Sequence, residues 1–176
     1  MKLCMFSPRE PFLERGWPGR IEGDTVIQLA AQTLQSFFSG GGQAREHGEY
    51  PLADVVFRAP VFHPPSVRLF DDSGDFVFAN PAAVKAVGED PGVPGAERVE
   101  RVAAIIGADG AIGGFTPLVE WVAPQLRGAK QRDFALTLGP VVTTPDEGVP
   151  PGIDWERLVA YAGENTMLYP GDVIGR

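Results

Sequence analysis

The sequence predicts an α+β fold that is mainly β. Glycine and proline are abundant, at 22 and 17 residues, and show no collagen-like period. Short β-branched runs lie between these breakers, as in sheets that contain many turns. Helical periodicity occurs in only two places, within residues 29–38 and 154–162. With 176 residues, the chain can form one compact domain, or one domain with a small appendage.

The first part of the chain predicts a strand, a hairpin and a helix. Lys2–Phe6 is expected to be a short strand, and Arg20–Ile27 a hairpin with Glu-Gly-Asp at its tip. Apolar residues recur at three- and four-residue steps from Leu29 to Phe38, which predicts a helix over these residues. Residues 43–52 are polar and are expected to form a connector. A soft boundary therefore falls near residue 50.

The second part predicts further strands and one helix. Val99–Ile106 alternates between two faces and is the strongest strand in the chain. Asp154 is a plausible N-cap of a helix that ends at Gly163. Residues 80–96 are rich in breakers and are expected to form a loop. Further strands are expected at Asp54–Ala59, Val67–Phe70, Phe76–Phe78, Ala111–Phe115 leading into Pro117–Ala123, and after the turn at Tyr169.

Charge and composition exclude several classes of protein. The net charge of −8 would repel a phosphate backbone, so we expect no nucleic-acid partner. The single cysteine, Cys4, excludes an internal disulfide, and with His47 and His63 it does not make a structural zinc site. No 18-residue apolar run and no signal-like N-terminus are present, which predicts a cytoplasmic protein without a membrane partner.

Common catalytic and ligand-binding motifs are largely missing from the sequence. The chain has no phosphate-binding glycine loop and no Gly-x-Ser-x-Gly nucleophile elbow. The acidic stretch Asp71–Asp75 lacks the later glutamate that closes a calcium loop, so a solvated turn is favoured. His63 could act as a base, although a structural role is favoured for it.

The segment Ala129–Glu147 is the most informative part of the chain. It joins an ionisable cluster that includes Lys130 to an apolar run, a Gly-Pro break and an acidic turn. This string resembles part of the fumarylacetoacetate hydrolase family. Other stretches resemble landmarks of that family in the same order, namely Gly19–Asp24, Tyr50–Asp54, Ala59–Val61, Phe78–Val84, Ala103–Gly107, Gly114–Thr116 and Leu168–Gly175.

The resemblance implies an architecture and a reaction class. It implies a small N-terminal domain, here residues 1–50, and a mixed β-roll domain, here residues 51–176, assembled as a homodimer. Enzymes of the family hold Mg²⁺ or Mn²⁺ with four carboxylates, which suits a hard cation. The metal polarises a dicarbonyl or keto-acid substrate before C–C cleavage or decarboxylation.

Most of the metal ligands that the resemblance implies are not matched in this chain. The family's Glu-x-Glu pair falls on Val99 and Arg101, and a third carboxylate is matched by Glu120. The fourth falls on Leu69. A slip of one residue would bring in Glu100, but it would exchange the two faces of the strand. We therefore expect no bound metal, unless this alignment is wrong and Glu100, Asp71 or Asp72 helps to rebuild a site for Mg²⁺ or Mn²⁺.

The remaining ionisable residues define the candidate site. Glu120 and Arg101 could face each other as a catalytic pair or as a structural salt bridge. Lys130 could act as a base or bind a carboxylate, or it could be a solvated turn residue. We take these three residues as catalytic candidates. The candidates for substrate binding are Arg68, Asp133 and Arg127.

Two classes of function follow. In the first, the protein is a metal-independent enzyme with lyase, isomerase or cyclisation chemistry on a small keto-acid or polyketide-like substrate. In the second, it is a catalytically inactive binding protein, or a partner subunit of a complete homologue. A metal-dependent hydrolase or decarboxylase is a third possibility, if the alignment of the metal site is wrong. A scaffold alone does not select among them.

Overall fold

Strands form most of the regular structure. A computed structural model describes all residues, 1–176, and contains thirteen strands and two α-helices. The helices are α1 (Leu34–Ser39) and α2 (Trp155–Ala162). The strands are β1 (Lys2–Pro8), β2 (Trp17–Glu22), β3 (Thr25–Leu29), β4 (Glu46–Pro51), β5 (Val55–Arg58), β6 (Val67–Phe70), β7 (Phe76–Ala79), β8 (Val84–Lys85), β9 (Glu97–Ile106), β10 (Ile112–Val122), β11 (Leu136–Leu138), β12 (Val141–Thr143) and β13 (Val173–Gly175).

All thirteen strands belong to one mixed sheet, which confirms the predicted mainly β class. Its main path runs β4-β3-β2-β1-β12-β10-β9-β13-β6-β7, while β5 pairs with β1, and β11 pairs with both β10 and β8. The β13–β6 and β11–β8 pairs are parallel, whereas the other pairs are antiparallel. The longest ladder is the β9–β10 hairpin, which extends from the pair Ile106–Ile112 to the pair Glu97–Val122. This hairpin carries the candidate site.

Two expectations for the N-terminal part were wrong. The helix expected within 29–38 begins only at Leu34, because Leu29 pairs with Glu46 at the end of β3. Thr33 caps the helix through a reciprocal capping box with Ser36. The expected polar connector 43–52 contains strand β4. Its polar residues are explained by its position at the edge of the sheet, where β3 is its only partner strand.

The second helix and the central strands agree with the sequence pattern. The Asp154 side chain accepts a hydrogen bond from the backbone N–H of Arg157 at 3.1 Å, and Gly163 ends the helix. Val99–Ile106 lies within β9, and the stretch from Ile112 to Val122 is one continuous strand that contains Pro117. The two helices have six and eight residues and lack the length and apolar surface that a bilayer-spanning segment needs.

The alternation of β9 separates two faces of the sheet. We call the side that packs against α2 the helix face, and the opposite side the Leu118 face. Ala104 and Ile106 belong to a buried cluster on the helix face, together with Phe70, Phe115, Trp155, Leu158, Ala162 and Ile174. Ala103 belongs to a cluster on the Leu118 face, together with Ala59, Val67, Leu69, Val84, Ala86, Leu118, Leu136, Leu138 and Val173.

The sheet and the core continue across residue 50. Strand β1 pairs with β12, so that Leu3 lies opposite Val142. A third buried cluster contains Leu3 and Phe38 from the N-terminal part, and also Ile105 and Val142 from the rest of the chain. The division into residues 1–50 and 51–176 stays a prediction, because a shared sheet is compatible with one or two structural units.

We predict that the two parts unfold together. Cys4 is fully buried, and burial raises the pKa of its thiol to about 12, so labelling by a thiol reagent requires unfolding of the N-terminal part. Trp155 lies in the helix-face cluster and reports on the other part. Thiol labelling and the fluorine NMR signal of 5-fluorotryptophan at Trp155 should lose their native values at the same urea concentration. Labelling of Cys4 while the Trp155 signal is still native would contradict this prediction.

Candidate functional site

Glu120 lies in the interior of the sheet, where β10 is flanked by β9 and β11. It pairs with Val99 on one side and with Leu136 on the other, and it is only 1% exposed. Leu118 lies opposite Arg101 in the same ladder. Arg101 and Glu120 are therefore diagonal neighbours on the Leu118 face, at a spacing that long side chains can bridge.

Two arginines hold the Glu120 carboxylate. Arg101 binds its Oε2 atom through Nε at 3.0 Å and through Nη2 at 2.9 Å. Arg132 binds its Oε1 atom through Nε at 2.7 Å. The third nitrogen of Arg101, Nη1, donates a hydrogen bond to the carbonyl oxygen of Phe70 at 3.0 Å. We call Arg101, Glu120 and Arg132 the Glu120 triad; both carboxylate oxygens are occupied, and its formal charge is +1.

Lys130 lies in the same loop as Arg132 but faces solvent. Its side chain is 77% exposed, and its Nζ atom binds Oδ2 of Asp133 at 2.8 Å. The other oxygen of Asp133, Oδ1, is buried and has no hydrogen-bond partner. The side-chain amide of Asn80 donates to the Asp133 carbonyl oxygen at 2.9 Å and anchors the loop to the chain before β8. The structure therefore places Lys130 at an exposed rim and not in a closed pocket.

Of the two remaining candidates, Arg68 lies on the other face of the sheet from the Glu120 triad. Arg68 pairs with Ile174 of β13, and Ile174 pairs with Ala104 of β9, so Arg68 lies on the helix face. Arg101 lies on the opposite face of the same sheet. Arg127 is exposed and caps the short 3-10 turn Gly128–Gln131. Arg101 and Glu120 are therefore in direct contact, Lys130 and Asp133 lie in the loop that supplies Arg132, and Arg68 lies on the opposite face.

Sequence reasoning missed Arg132 as a site residue. It belongs to the ionisable cluster of the 129–147 segment, but nothing in that pattern pairs it with Glu120. Two backbone hydrogen bonds fold the loop back onto β10: from Ala123 to the Gln131 carbonyl at 2.8 Å, and from Trp121 to the Ala135 carbonyl at 3.3 Å. This return of the loop brings Arg132 to the end of the Glu120 side chain.

The residues of this region do not fit a four-carboxylate metal site. No group of three or more histidine, cysteine, aspartate or glutamate side chains is arranged so that it could hold a metal ion. The positions matched to family ligands hold Val99 and Leu69, which offer no ligand atom, and Arg101, which is itself a cation. Glu120 is already bound to two guanidinium groups.

The acidic residues that might have rebuilt a metal site have other partners. Glu100 is one residue from Arg101 on β9, so it lies on the helix face, and it binds Arg98 at 2.7 Å. Asp72 binds Arg176 at 2.8 Å. The Asp71 carboxylate accepts a hydrogen bond from the Ser73 hydroxyl within its own turn, and this bond is the main cause of a lowered pKa. None of the three approaches Glu120 closely enough to form a cluster of ligands.

The fold is that of known enzymes. Maleylpyruvate hydrolase from Sphingobium sp. SYK-6 superposes with a TM-score of 0.79 at 20% identity, covering 99% of this chain and 87% of that chain. A 2-hydroxyhepta-2,4-diene-1,7-dioate isomerase from Mycobacterium marinum gives a TM-score of 0.74 at 19% identity, covering 99% and 86%. A 2-keto-3-deoxy-D-arabinonate dehydratase complexed with magnesium and 2,5-dioxopentanoate gives a TM-score of 0.74 at 15% identity, with the same coverage.

The three comparisons show that this chain shares the fold of these enzymes. The three enzymes belong to the fumarylacetoacetate hydrolase superfamily, so this chain has a fumarylacetoacetate hydrolase-like fold, as the resemblance in its sequence predicted. The scaffold is one that hydrolases, isomerases and dehydratases use. The maleylpyruvate hydrolase is also known in complex with manganese(II) and pyruvate. No protein-family model matches the sequence, and neither does any curated protein.

We predict that the members of the Glu120 triad contribute unequally to stability. Glu120→Gln should lower the free energy of unfolding by about 3 kcal/mol, because it leaves the largely buried Arg101 guanidinium without a counter-charge. Arg132→Gln should cost about 1 kcal/mol or less, because this arginine is 49% exposed and water can replace it. Urea denaturation of both variants measures the difference.

A double variant provides the control for this prediction. Replacing Arg101 and Glu120 together by leucine removes both buried charges and fills the space with apolar atoms, so most of the stability should return. Equal costs for Glu120→Gln and Arg132→Gln would contradict the assignment of Glu120 as the buried centre of the triad.

Proposed function

We propose that this chain binds a small carboxylate-bearing ligand at the exposed side of the Glu120 triad, without a divalent metal. The observation that carries the proposal is that two guanidinium groups share one buried carboxylate. The Glu120 triad, with two guanidinium groups and one carboxylate, has a formal charge of +1 in a chain whose net charge is −8. A local positive charge on an acidic protein favours an anionic ligand at this place.

In this proposal the ligand binds to the guanidinium group of Arg132. Its Nε atom is bound to Glu120, while its two terminal nitrogens have no partner in the protein, and its side chain is 49% exposed. These terminal nitrogens can donate two parallel hydrogen bonds to the oxygens of one carboxylate. Glu120 fixes the guanidinium from behind, so less side-chain entropy is lost when the ligand binds.

The neighbouring structures suggest the class of ligand. In those enzymes, pyruvate accompanies manganese and 2,5-dioxopentanoate accompanies magnesium. In this chain, a guanidinium stands at a position that the resemblance matches to a metal carboxylate, and it supplies positive charge of its own. A keto acid of similar size is therefore the ligand that we propose. Arg101 stabilises Glu120, and Arg132 makes the contact with the ligand.

Glu120 does not act as a proton carrier in this proposal. Each of its oxygens is held in an ion pair with a guanidinium group, so removing a proton from a substrate would first require breaking an ion pair. Its role is to position Arg132. The ionisable side chain that remains available for proton transfer in this region is Lys130.

A metal-independent lyase or isomerase is the second candidate function. It is favoured by the position of Lys130, which is two residues from Arg132, faces solvent and is paired with Asp133 at 2.8 Å. The Lys130–Asp133 contact is more exposed than the ion pairs of Glu120 and opens more easily, and the freed Lys130 side chain can then exchange a proton with the carbon next to the carbonyl group of a bound keto acid. The isomerase and dehydratase neighbours use the same scaffold for related reactions.

We predict that pyruvate binds in the presence of a metal chelator and that Arg132→Gln weakens this binding at least tenfold. A hydrogen bond between charged partners contributes about 1.5–3 kcal/mol, which corresponds to roughly tenfold or more in affinity. NMR titration of the full chain measures the dissociation constant. Arg98→Gln is the matched control, because it removes an exposed guanidinium on the helix face and should leave the affinity unchanged.

Two results would contradict this mode of binding. One is equal affinity of the unaltered protein and the Arg132→Gln variant for pyruvate. The other is elemental analysis that finds stoichiometric Mg²⁺ or Mn²⁺, together with pyruvate binding that the chelator abolishes. The second result would return the site to the metal-dependent class of its structural neighbours.

We predict a different outcome for the second candidate function. If Lys130 transfers protons, Lys130→Met should abolish turnover of a 2-keto acid substrate while the affinity for pyruvate stays the same, because Arg132 holds the ligand. A panel of acylpyruvates, oxaloacetate and 2-keto-3-deoxy acids measures turnover in chelator. Absence of turnover for the whole panel, with pyruvate binding intact, would leave binding alone as the function.

A further inference from the structure

A cleft lies on the helix face, around Arg68. It has a volume of about 410 Å³ and is formed by β6, β7 and the end of α2 with the chain that follows it. A cleft of this volume can take a ligand the size of a substituted benzene ring. Its lining residues include Arg68, Phe76, Phe78, Tyr161 and Glu164. It is separated from the Glu120 triad by the thickness of the sheet, because Arg68 and Arg101 lie on opposite faces.

Arg68 is a buried cation with hydrogen-bond donors to spare. It is 5% exposed, and its Nη1 atom donates to the Ser66 hydroxyl, which in turn donates to Oδ1 of Asp172 at 2.6 Å. The Arg68 Nε atom is buried and has no partner, and Nη2 has none in the protein. A donor without an acceptor is unfavourable, and Nη2, which is not fully buried, can donate to an acceptor that a ligand brings into the cleft.

Aromatic rings surround this guanidinium. Its central carbon lies 5.2 Å from the centre of the Phe78 ring and 5.7 Å from that of Phe76. The Phe78 side chain is 68% exposed, which is unusual for a large apolar residue. Tyr161 packs against Phe76 with ring centres 5.7 Å apart. The rings offer flat apolar surface for a planar ligand.

The charges around the cleft select against ions. Asp172 is buried beside Arg68, with one oxygen 4.0 Å from Nη1, and offsets the guanidinium charge. Glu164 is exposed at the rim, and Asp75 accepts a hydrogen bond from the Tyr161 hydroxyl at 3.3 Å. The charge of Asp75 is the main cause of a raised pKa at Tyr161, and Glu164 acts in the same direction. These carboxylates would repel an anionic ligand, and the Arg68 guanidinium would repel a cationic ligand.

We propose that this cleft binds an uncharged, flat ligand whose carbonyl oxygen accepts a hydrogen bond from Arg68 and whose ring stacks on Phe78. An aromatic amide has both features. The carbonyl oxygen supplies the acceptor that the guanidinium lacks and adds no net charge to a site in which Arg68 and Asp172 already balance. This inference does not depend on the function proposed for the Glu120 triad.

The test uses benzamide as the probe, with benzoate and benzylammonium as charged comparators of similar size. In NMR titrations of the full ¹⁵N-labelled chain, benzamide should produce saturable shifts of the Arg68 Nε–H signal and of the backbone amides of Asn165 and Thr166. Benzoate and benzylammonium should bind more weakly than benzamide. Tighter binding of either ion, or no saturable shift with benzamide up to its solubility limit, would overturn the proposal.

Three variants test the roles of the stacking ring and of the rim charge, and all three leave the buried Arg68 in place. Phe78→Ala should weaken benzamide binding roughly threefold to tenfold, because it removes the stacking ring. Phe12→Ala is the matched control, since it removes another exposed ring that is not part of the cleft lining. Glu164→Gln should improve benzoate affinity about twofold to fivefold and leave benzamide unchanged. Equal effects of Phe78→Ala and Phe12→Ala would contradict the assignment of the cleft.

Discussion

The buried carboxylate of Glu120 is the constraint on which the rest of the site depends. A carboxylate that is 1% exposed at the centre of a sheet needs charged or hydrogen-bonding partners, because the loss of hydration is otherwise uncompensated. The chain provides one partner across the β9–β10 hairpin and another from the returning loop. The return of the loop to β10 brings Arg132 to the carboxylate, and the two guanidinium groups together leave a positive charge at the rim.

In this chain, guanidinium groups meet this requirement. In the structural neighbours, complexes with manganese or magnesium contain small keto compounds, so a cation and a ligand occur together. In this chain, guanidinium groups are the cations beside Glu120, and they are covalently part of the protein. An arginine carries its charge at all accessible pH values and presents donors in a fixed plane. It can hold a carboxylate, but it does not offer the open coordination positions of a metal ion.

Much of the fold and part of the candidate site could be predicted from the sequence, and there are physical reasons why the rest could not. The alternation of β9 and the likeness to the hydrolase family place Arg101 beside Glu120, and the structure bears out that pairing. The alternation along β6 places the Arg68 side chain on the opposite face from Leu69, so its position on the helix face could have been predicted from the sequence. Arg132 was beyond reach, because its contact depends on how a loop without a periodic pattern folds back. Strand β4 was missed for a similar reason, since pairing with β3 overrides its polar composition.

We propose that guanidinium groups take the place of a divalent ion beside Glu120. Titration with manganese(II) tests this proposal, because the ion is paramagnetic and broadens NMR signals close to its binding site. When Mn²⁺ is added to the full chain, we expect no selective broadening of the Nε–H signals of Arg101 and Arg132 or of the Leu118 methyl groups. Selective broadening of these signals at stoichiometric Mn²⁺, lost in Glu120→Gln, would contradict it.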